Sequence, residues 1–373
     1  MTEKLFFANP SAQTAHHRDA IDAAIAGALD GSMYIQGPAH DGFERALAAY
    51  VGVAHTVGVG NGTDAILLAL KAFDIGPGDE VVVPSHTATA SISAIRQAGA
   101  EPVFADVDEQ TYVTSVSHVA AAVGPRTRAV LGVHLYGCML DADAMRAFCD
   151  ERALIFVEDC AQATGASWRG RRAGSFGHAA TFSFFPTKNL AAIGDGGAVA
   201  TNDAAVAERV RRLRTYGWSP DRIALEDGYN SRLDELQAAI LAVKLPHLDA
   251  ENARRAEIAA RYSGHLADVP VQRPVCPDEV IHVYHLYVVA LDARDALQHH
   301  LMSHGIVAGI HYPVPNHEHG AFASARRAPL RNTERLVRRI LTLPMYPELP
   351  DDAVDRVCSA IRQFFQRRSS SAA

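Results

Sequence analysis

Between about residue 57 and residue 202 the chain repeats one pattern. A short β-branched or apolar run is followed by a polar break and then by a stretch whose apolar residues recur every three or four positions. Strands buried on both faces read as nearly continuous apolar strings, and covering helices read as amphipathic ones, so this alternation predicts a mostly parallel sheet with helices on both sides. The predicted strands are Glu80 to Val83, Pro102 to Val107, Ala129 to Leu135, Leu154 to Glu158, Thr181 to Phe184 and Gly197 to Thr201. Between them, Thr63 to Phe73 and Asp141 to Arg152 are predicted as helices. The fold class is α/β.

The texture changes after Gly228. Arg232 to Leu245 and Leu248 to Leu266 predict two long helices, broken at Pro246, which lacks the N–H that a helix interior needs. A strand at Tyr287 to Leu291, a helix at Ala293 to His304 and a C-terminal helix from Asp351 to Arg367 follow, the last opened by Pro350-Asp351-Asp352. A new unit therefore starts near residue 246, and the expected domains are a large one at 1–245, including an N-terminal helix, and a small one at 246–373. There is no internal repeat and no low-complexity linker.

Composition narrows the partners. A chain of 373 residues, 48% hydrophobic, can bury a large core. Its formal charge of -7, with both signs mixed along the sequence, offers no basic face to a nucleic acid or an anionic membrane, so neither is expected as a partner. Cys138, Cys149, Cys160, Cys276 and Cys358 are scattered without a CxxC pair, which suggests neither a disulfide framework nor a metal site. Met1 to Pro10 holds one lysine and a three-residue apolar run, too little for a signal peptide, and no stretch approaches the roughly 20 apolar residues of a membrane span. A reducing cytoplasm is the compartment that fits.

In an open parallel sheet ligands bind beyond the carboxyl ends of the strands, so polar residues that follow apolar runs are the ones to inspect. Val59-Gly60-Asn61-Gly62-Thr63-Asp64-Ala65 opens a helix with small residues, leaving backbone N–H groups free at its positive end, a natural phosphate cradle or an ordinary helix entry. Leu154 to Gln162 delivers Asp159 to a strand end, where it can hold a cation such as a protonated pyridine nitrogen or cap a following turn. Thr181 to Lys188 ends a strand in a Pro-Thr-Lys turn; a desolvated lysine there has a lowered pKa and can act as a nucleophile, whereas a surface lysine is inert. Each site alone has a structural explanation. The three in this order are hard to explain except together.

In these residues the sequence resembles the DegT/DnrJ/StrS family of pyridoxal-phosphate sugar aminotransferases. The shared motifs include Tyr34-Ile35-Gln36-Gly37-Pro38 with Phe43-Glu44, Gly62-Thr63-Asp64-Ala65, Val82-Val83-Pro84-Ser85-His86-Thr87 and Glu158-Asp159-Cys160-Ala161-Gln162. They continue through Phe182 to Asn189, Gly194-Asp195-Gly196-Gly197, Asn230-Ser231-Arg232-Leu233-Asp234-Glu235 and His311-Tyr312-Pro313-Val314-Pro315. The resemblance implies an aspartate-aminotransferase-like (type I) fold, with a large, mostly parallel mixed sheet and a smaller C-terminal α+β domain. It implies pyridoxal 5'-phosphate as cofactor, Lys188 as its Schiff-base lysine and acid/base, Asp159 as partner of the pyridine nitrogen and Gln162 as neighbour of the ring hydroxyl. The phosphate would rest on the Gly62 and Thr63 amides and the Ser183 hydroxyl. Asn230 would reach that phosphate from a neighbouring subunit, which implies a homodimer with shared active sites.

One position departs from the family. The aromatic that usually stacks on the cofactor is replaced by Ala88, and His86, two residues earlier, is the candidate to take its place or to hydrogen-bond within a turn. His311, Tyr312 and His317 fall in a stretch that lies near the family's sugar pocket, although 18 histidines in the chain must fall somewhere. Arg232 is placed to touch the phosphate or the nucleotide, or to pair with Asp234 or Glu235. The implied reaction moves an amino group from L-glutamate or L-glutamine to a nucleotide-linked keto-deoxysugar, closest in motif to the enzymes that aminate carbon 3 of a dTDP-3-keto-6-deoxyhexose. Enzymes acting at carbon 4 and those that aminate keto-inositols share most of the motifs. Members that remove a hydroxyl carry histidine in place of Lys188. Two other classes compete: a non-catalytic regulatory protein, which the acidic balance and the lack of a DNA-binding helix pair oppose, and a dinucleotide enzyme, for which Gly60-Asn61-Gly62 lacks the third glycine.

Overall fold

Seven strands build the central sheet of the computed structural model, which describes residues 4–372 apart from the side chains of 369–372. They are β1 (His55–Val59), β2 (Glu80–Pro84), β3 (Glu101–Ala105), β4 (Thr127–Val133), β5 (Ile155–Asp159), β6 (Ala179–Ser183) and β7 (Gly197–Thr201). Their order across the sheet is β1-β7-β6-β5-β4-β2-β3. Neighbours pair parallel except at β7, which runs antiparallel to both β6 and β1. One reversed strand leaves β1 pointing with the parallel set, so its carboxyl end joins theirs along one edge.

All six predicted strands are present, with ends displaced by at most two residues, the scatter expected of element boundaries. Their near-continuous apolar runs follow from burial on both faces: Val82, Val130 and Phe156 enter one core cluster, while Val81, Val83, Leu131 and Val157 enter the other. The strand not predicted is β1. Gly58 interrupts its apolar run, and a glycine weakens a strand on propensity alone. In the fold that glycine permits close packing, since a Cβ there would lie 3.0 Å from Leu233 and 3.1 Å from His40.

The helix expected at Arg232 to Leu245 starts later, at Glu235–Lys244. Asn230 and Asp234 lie before it in extended bridges to Thr215 and Ile35. The Glu235 carboxylate accepts from the amides of Gly37 (2.9 Å), Ala39 (2.6 Å) and His40 (3.0 Å), satisfying free donors at the start of the helix Pro38–Val51. Pro246 does not break the chain. It lies in the 3-10 turn Leu245–His247 and the helix Leu248–His265 follows directly, because a proline in a first turn removes only an N–H that has no helical partner.

In the C-terminal third, β8 (Tyr287–Ala290), expected from the sequence, pairs antiparallel with β9 (Ile340–Leu343), which was not. A third apolar cluster gathers Ile258 and Tyr262 of the helix Leu248–His265, Tyr287 and Val289 of β8, and Val354 and Ile361 of the C-terminal helix Asp351–Ala372. Leu5 belongs to this cluster too, and Leu5–Phe6 pairs parallel with Ile306–Val307, so the start of the chain packs with its last third. Among the described residues no helix is long and apolar enough to cross a membrane. All five cysteines are free.

Candidate active site

The carboxyl ends of β1, β2, β4, β5 and β6 face one open cavity of about 750 Å³. Each strand end brings its own group: Gly62 and Thr63 after β1, Ala88 and Ser91 after β2, Val133 at the end of β4, Asp159 and Gln162 at β5, Ser183 and Lys188 at β6. This is the edge at which a doubly wound sheet binds its ligands.

The helix Gly62–Ala72 points its N-terminus into the cavity. Asn61 caps it, its side chain accepting from Asp64 N at 2.8 Å and its carbonyl from Ala65 N at 3.0 Å, which leaves the first two helical amides, Gly62 and Thr63, without helical partners. Only glycine fits at 62, where a Cβ would stand 2.6 Å from the Cβ of Ser183. The close approach sets the Ser183 hydroxyl beside the free amides, a three-donor cradle for an anion.

Asp159 is buried in the same cavity. Its Oδ2 accepts from Ser91 Oγ at 2.8 Å and its Oδ1 from Ala161 N at 3.1 Å, so the carboxylate is held from two sides. The preceding residue, Glu158, faces the other way, as alternate residues of a strand must. It is engaged by the His134 ring (2.9 Å) and the amides of Gly174, Phe176 and Gly177. The two acids of β5 thus divide into one that fixes loops and one that faces the cavity.

Gln162 accepts from Tyr136 N at 2.8 Å and donates to the Tyr312 hydroxyl at 3.0 Å. Burial raises that phenol to about 12, so it is neutral. Lys188 is half-buried, and desolvation lowers its amine from 10.5 to about 8 while the negative charge of Asp159 opposes the shift. Together with Gln162 and Phe185 it also lines a second cavity, of about 790 Å³, that runs between Asn9, Gln13, Arg255, His285, His311 and Glu348. The lysine amine therefore stands where two cavities meet.

The other residues expected in the site divide. His311 and Tyr312 line the second cavity; the His311 ring is 2.9 Å from Thr342 Oγ1, its carbonyl accepts from the Tyr136 hydroxyl, and burial lowers the imidazole to about 4. His317 does not line either cavity. It is buried 2.8 Å from Ser85 Oγ, and with Asn316, which donates to the carbonyls of Ser85 (3.0 Å) and Thr87 (2.8 Å), it holds the loop after β2, a positioning part instead of the expected substrate contact. His86 is also behind the wall, its Nε2 2.7 Å from the Tyr136 hydroxyl and its ring edge-on to Tyr136 and Tyr312, while Ala88 occupies the lining. Asn230 is exposed outside both cavities and accepts from Arg232 at 2.6 Å; the Arg232 guanidinium lies 5.6 Å over the Tyr216 ring and pairs with neither Asp234 nor Glu235.

Ser91, Tyr136, Arg255, His285 and Glu348 were not legible as site residues. Ser91 lies in the first turn of the short helix Thr89–Gln97, and Arg255 is one of an adjacent pair of arginines in an amphipathic helix. In each case the side of the helix that faces the site is set by tertiary packing.

A family model described as the DegT/DnrJ/EryC1/StrS aminotransferase family matches residues 16–362. The chain belongs to that family, and it is an aminotransferase with the α/β fold of its solved members. It is 46% identical over 349 residues to dTDP-3-amino-3,4,6-trideoxy-alpha-D-glucose transaminase of Streptomyces venezuelae, covering 93% of this chain and 92% of the relative. It is 43% identical over 347 residues to UDP-N-acetyl-3-dehydro-alpha-D-glucosamine 3-aminotransferase of Acidithiobacillus ferrooxidans, covering 93% and 94%. Among solved structures, S. venezuelae DesV in complex with a ketimine intermediate superposes with a TM-score of 0.94 at 45% identity, covering 97% of this chain and 99% of that one.

Proposed function

We propose that this protein moves an amino group from L-glutamate or L-glutamine to carbon 3 of a nucleotide-linked keto-deoxyhexose, dTDP-3-keto-6-deoxyhexose first among them, with pyridoxal 5'-phosphate bound at Lys188. The observation that carries the proposal is the position of the Lys188 amine at the junction of two cavities, one of which also holds Asp159 and the Gly62–Thr63–Ser183 cradle. These residues fit the cofactor. Three donors at a helix N-terminus suit its phosphate, a buried carboxylate fixed by Ser91 and Ala161 suits a protonated ring nitrogen, and a desolvated amine suits its aldehyde. When bound, the cofactor supplies an electron sink for the carbon that exchanges its amine.

The chain's own groups do the rest. Lys188 Nζ, close to half neutral at pH 8, takes a proton from one substrate carbon and returns it in the reverse sense to the other. Asp159 keeps positive charge on the cofactor ring. Tyr312 and Gln162 close the wall between the cavities, and the neutral His311 presents no charge to a sugar.

Carbon 3 is favoured because both relatives named above act at position 3, while one uses a dTDP sugar and the other a UDP sugar. The test is to load the protein with amine by L-glutamate and then add, one at a time, dTDP-3-keto, dTDP-4-keto and GDP-4-keto sugars and a keto-inositol. The dTDP-3-keto sugar should restore the visible absorbance of the aldehyde form fastest. A faster response to a 4-keto sugar or to the inositol would reassign the acceptor.

Capture of the cofactor should depend on pH in one direction. Desolvation places the folded value of Lys188 below its unfolded one, so the folded chain favours the neutral amine, carries the cost of a charged one below about pH 8, and gains relative stability between about 8 and 10.5. Only the neutral amine attacks an aldehyde. The rate of cofactor uptake by stripped protein should therefore rise through about pH 8 and level off above it; stopped-flow absorbance measures it, and a flat profile from pH 6.5 to 9.5 would count against a desolvated lysine.

Asn230 belongs in this proposal to the site of a second copy. It is exposed and outside its own chain's cavities, and the strip Asn230–Gln237 is bonded to segments that expose Tyr34 (60%), Ile35 (40%) and Ile193 (44%), an apolar fringe suited to a subunit interface. Mixing inactive Lys188→Ala and Asn230→Ala proteins should regain activity that neither parent has, through hybrid dimers with one intact site. No regain from two such inactive parents would remove the shared site.

A further inference from the structure

Arg255 is a buried cation that, among the described residues, has no carboxylate at ion-pair distance. It extends from the helix Leu248–His265 to the wall of the 790 Å³ cavity and is only 5% exposed. Its Nη1 donates to the carbonyls of Met345 (3.1 Å) and Tyr284 (3.4 Å). Among the described residues no carboxylate lies within ion-pair distance of it, whereas the adjacent Arg254 pairs with Glu257 and Asp351. Glu251, one helical turn back, is engaged by His17 at 2.7 Å and Gln13 at 3.0 Å.

Glu348, in the same cavity wall, is the other acid whose field reaches Arg255. Burial raises its carboxyl above the ordinary value, its Oε2 has no partner, and it makes no ion pair with the guanidinium. His285 and His311 add no positive charge, since burial holds both imidazoles low. Among the described residues this wall then carries two cations, Arg255 and Lys188, and one acid, Glu348.

Removing a guanidinium from water is costly unless an anion joins it, and two carbonyls compensate only in part. The planar fork of arginine matches a carboxylate, and one end of a molecule bound there would reach the lysine amine that borders the same cavity. Both amino donors in the proposed function carry a carboxylate on the carbon that bears the amine. We propose that Arg255 binds the carboxylate of the amino donor, and of the 2-oxo acid it becomes, so that the donor is recognised in the 790 Å³ cavity by a residue of the same chain as Lys188. This rests on the aminotransferase reading above.

The test uses the cofactor-loaded protein and glutarate, a dicarboxylate that has no amine to transfer. Calorimetry should detect glutarate binding to the native protein, and glutarate should compete with L-glutamate for the donor half-reaction. Arg255→Met should weaken glutarate at least about tenfold, the scale of a lost charge-assisted hydrogen bond, and Arg255→Lys should fall between the two. The donor half-reaction of Arg255→Met should also slow at least about ten times more than the sugar half-reaction of the amine-loaded variant. Equal glutarate affinity in native and Arg255→Met proteins, equal losses in the two half-reactions, or a native protein that fails to bind glutarate would each overturn the proposal. Should the methionine variant not fold, Arg255→Lys and native competition decide: unaltered glutarate affinity in the lysine variant, or inhibition not competitive with donor, overturns it. Visible absorbance before glutarate is added separates the two readings. A native protein that takes up no cofactor refutes the proposed function, whereas normal uptake with unaltered glutarate affinity in the variants refutes only Arg255.

Discussion

Lys188→Ala should lose amino transfer by at least on the order of 10³-fold, because one substitution removes both the nucleophile and the proton carrier. It should also lose the yellow colour that borohydride fixes to the chain. The fold should survive. Lys188 is half-buried at the rim of two cavities, and burial already disfavours its charged form, so removing it at neutral pH takes away a desolvated cation and leaves no packing void in the core. Thermal unfolding should therefore begin no lower than in native protein stripped of its cofactor, since a bound cofactor would itself stabilise the native fold. Added methylamine should restore part of the rate by entering the space of the missing side chain. Activity within tenfold of native, with the colour still fixed by borohydride, would show that another amine holds the cofactor and would sink the assignment of Lys188.

The sheet was readable in the sequence because its strands are buried on both faces, which writes them as apolar strings. The exception, β1, had its string cut by Gly58, and the reason for that glycine, the nearness of Leu233 and His40, lies more than 170 positions away for the leucine. The chemistry of the sheet edge was readable for a related reason: a strand that ends in Asp159, and another that leads into Lys188, place these residues by register alone. What the sequence could not supply was anything set by the approach of distant segments. His317 looks like a ligand beside His311 and Tyr312, but Asn316 turns back to bond the carbonyls of Ser85 and Thr87, and this directs the ring to Ser85 and away from both cavities. Ser91 and Arg255 were hidden in the opposite way. Their types are unremarkable for exposed helix positions, and only the packing of their helices aims the one at Asp159 and the other at the second cavity.

Asp159→Asn carries the second large expected effect, a fall in activity on the order of 10²- to 10³-fold, the scale seen when one fixed electrostatic group is taken from a catalytic site. The side chain has the same shape but cannot hold a positive charge on the ring. Structure should be spared by a reorientation at Ser91. The asparagine oxygen can still accept from Ala161 N, and its NH2 can face Ser91 Oγ if that hydroxyl turns from donor to acceptor, so the stability change should stay within about 1 kcal/mol. Ser91→Ala leaves the carboxylate with one of its two supports and should cost far less activity than Asp159→Asn. This ordering separates charge from geometry. If Ser91→Ala were as damaging as Asp159→Asn, the orientation of residue 159 would matter more than its charge. Activity of Asp159→Asn within tenfold of native would remove the carboxylate from the mechanism altogether, and the buried acid at the end of β5 would then be, like Glu158 beside it, a part of the scaffold.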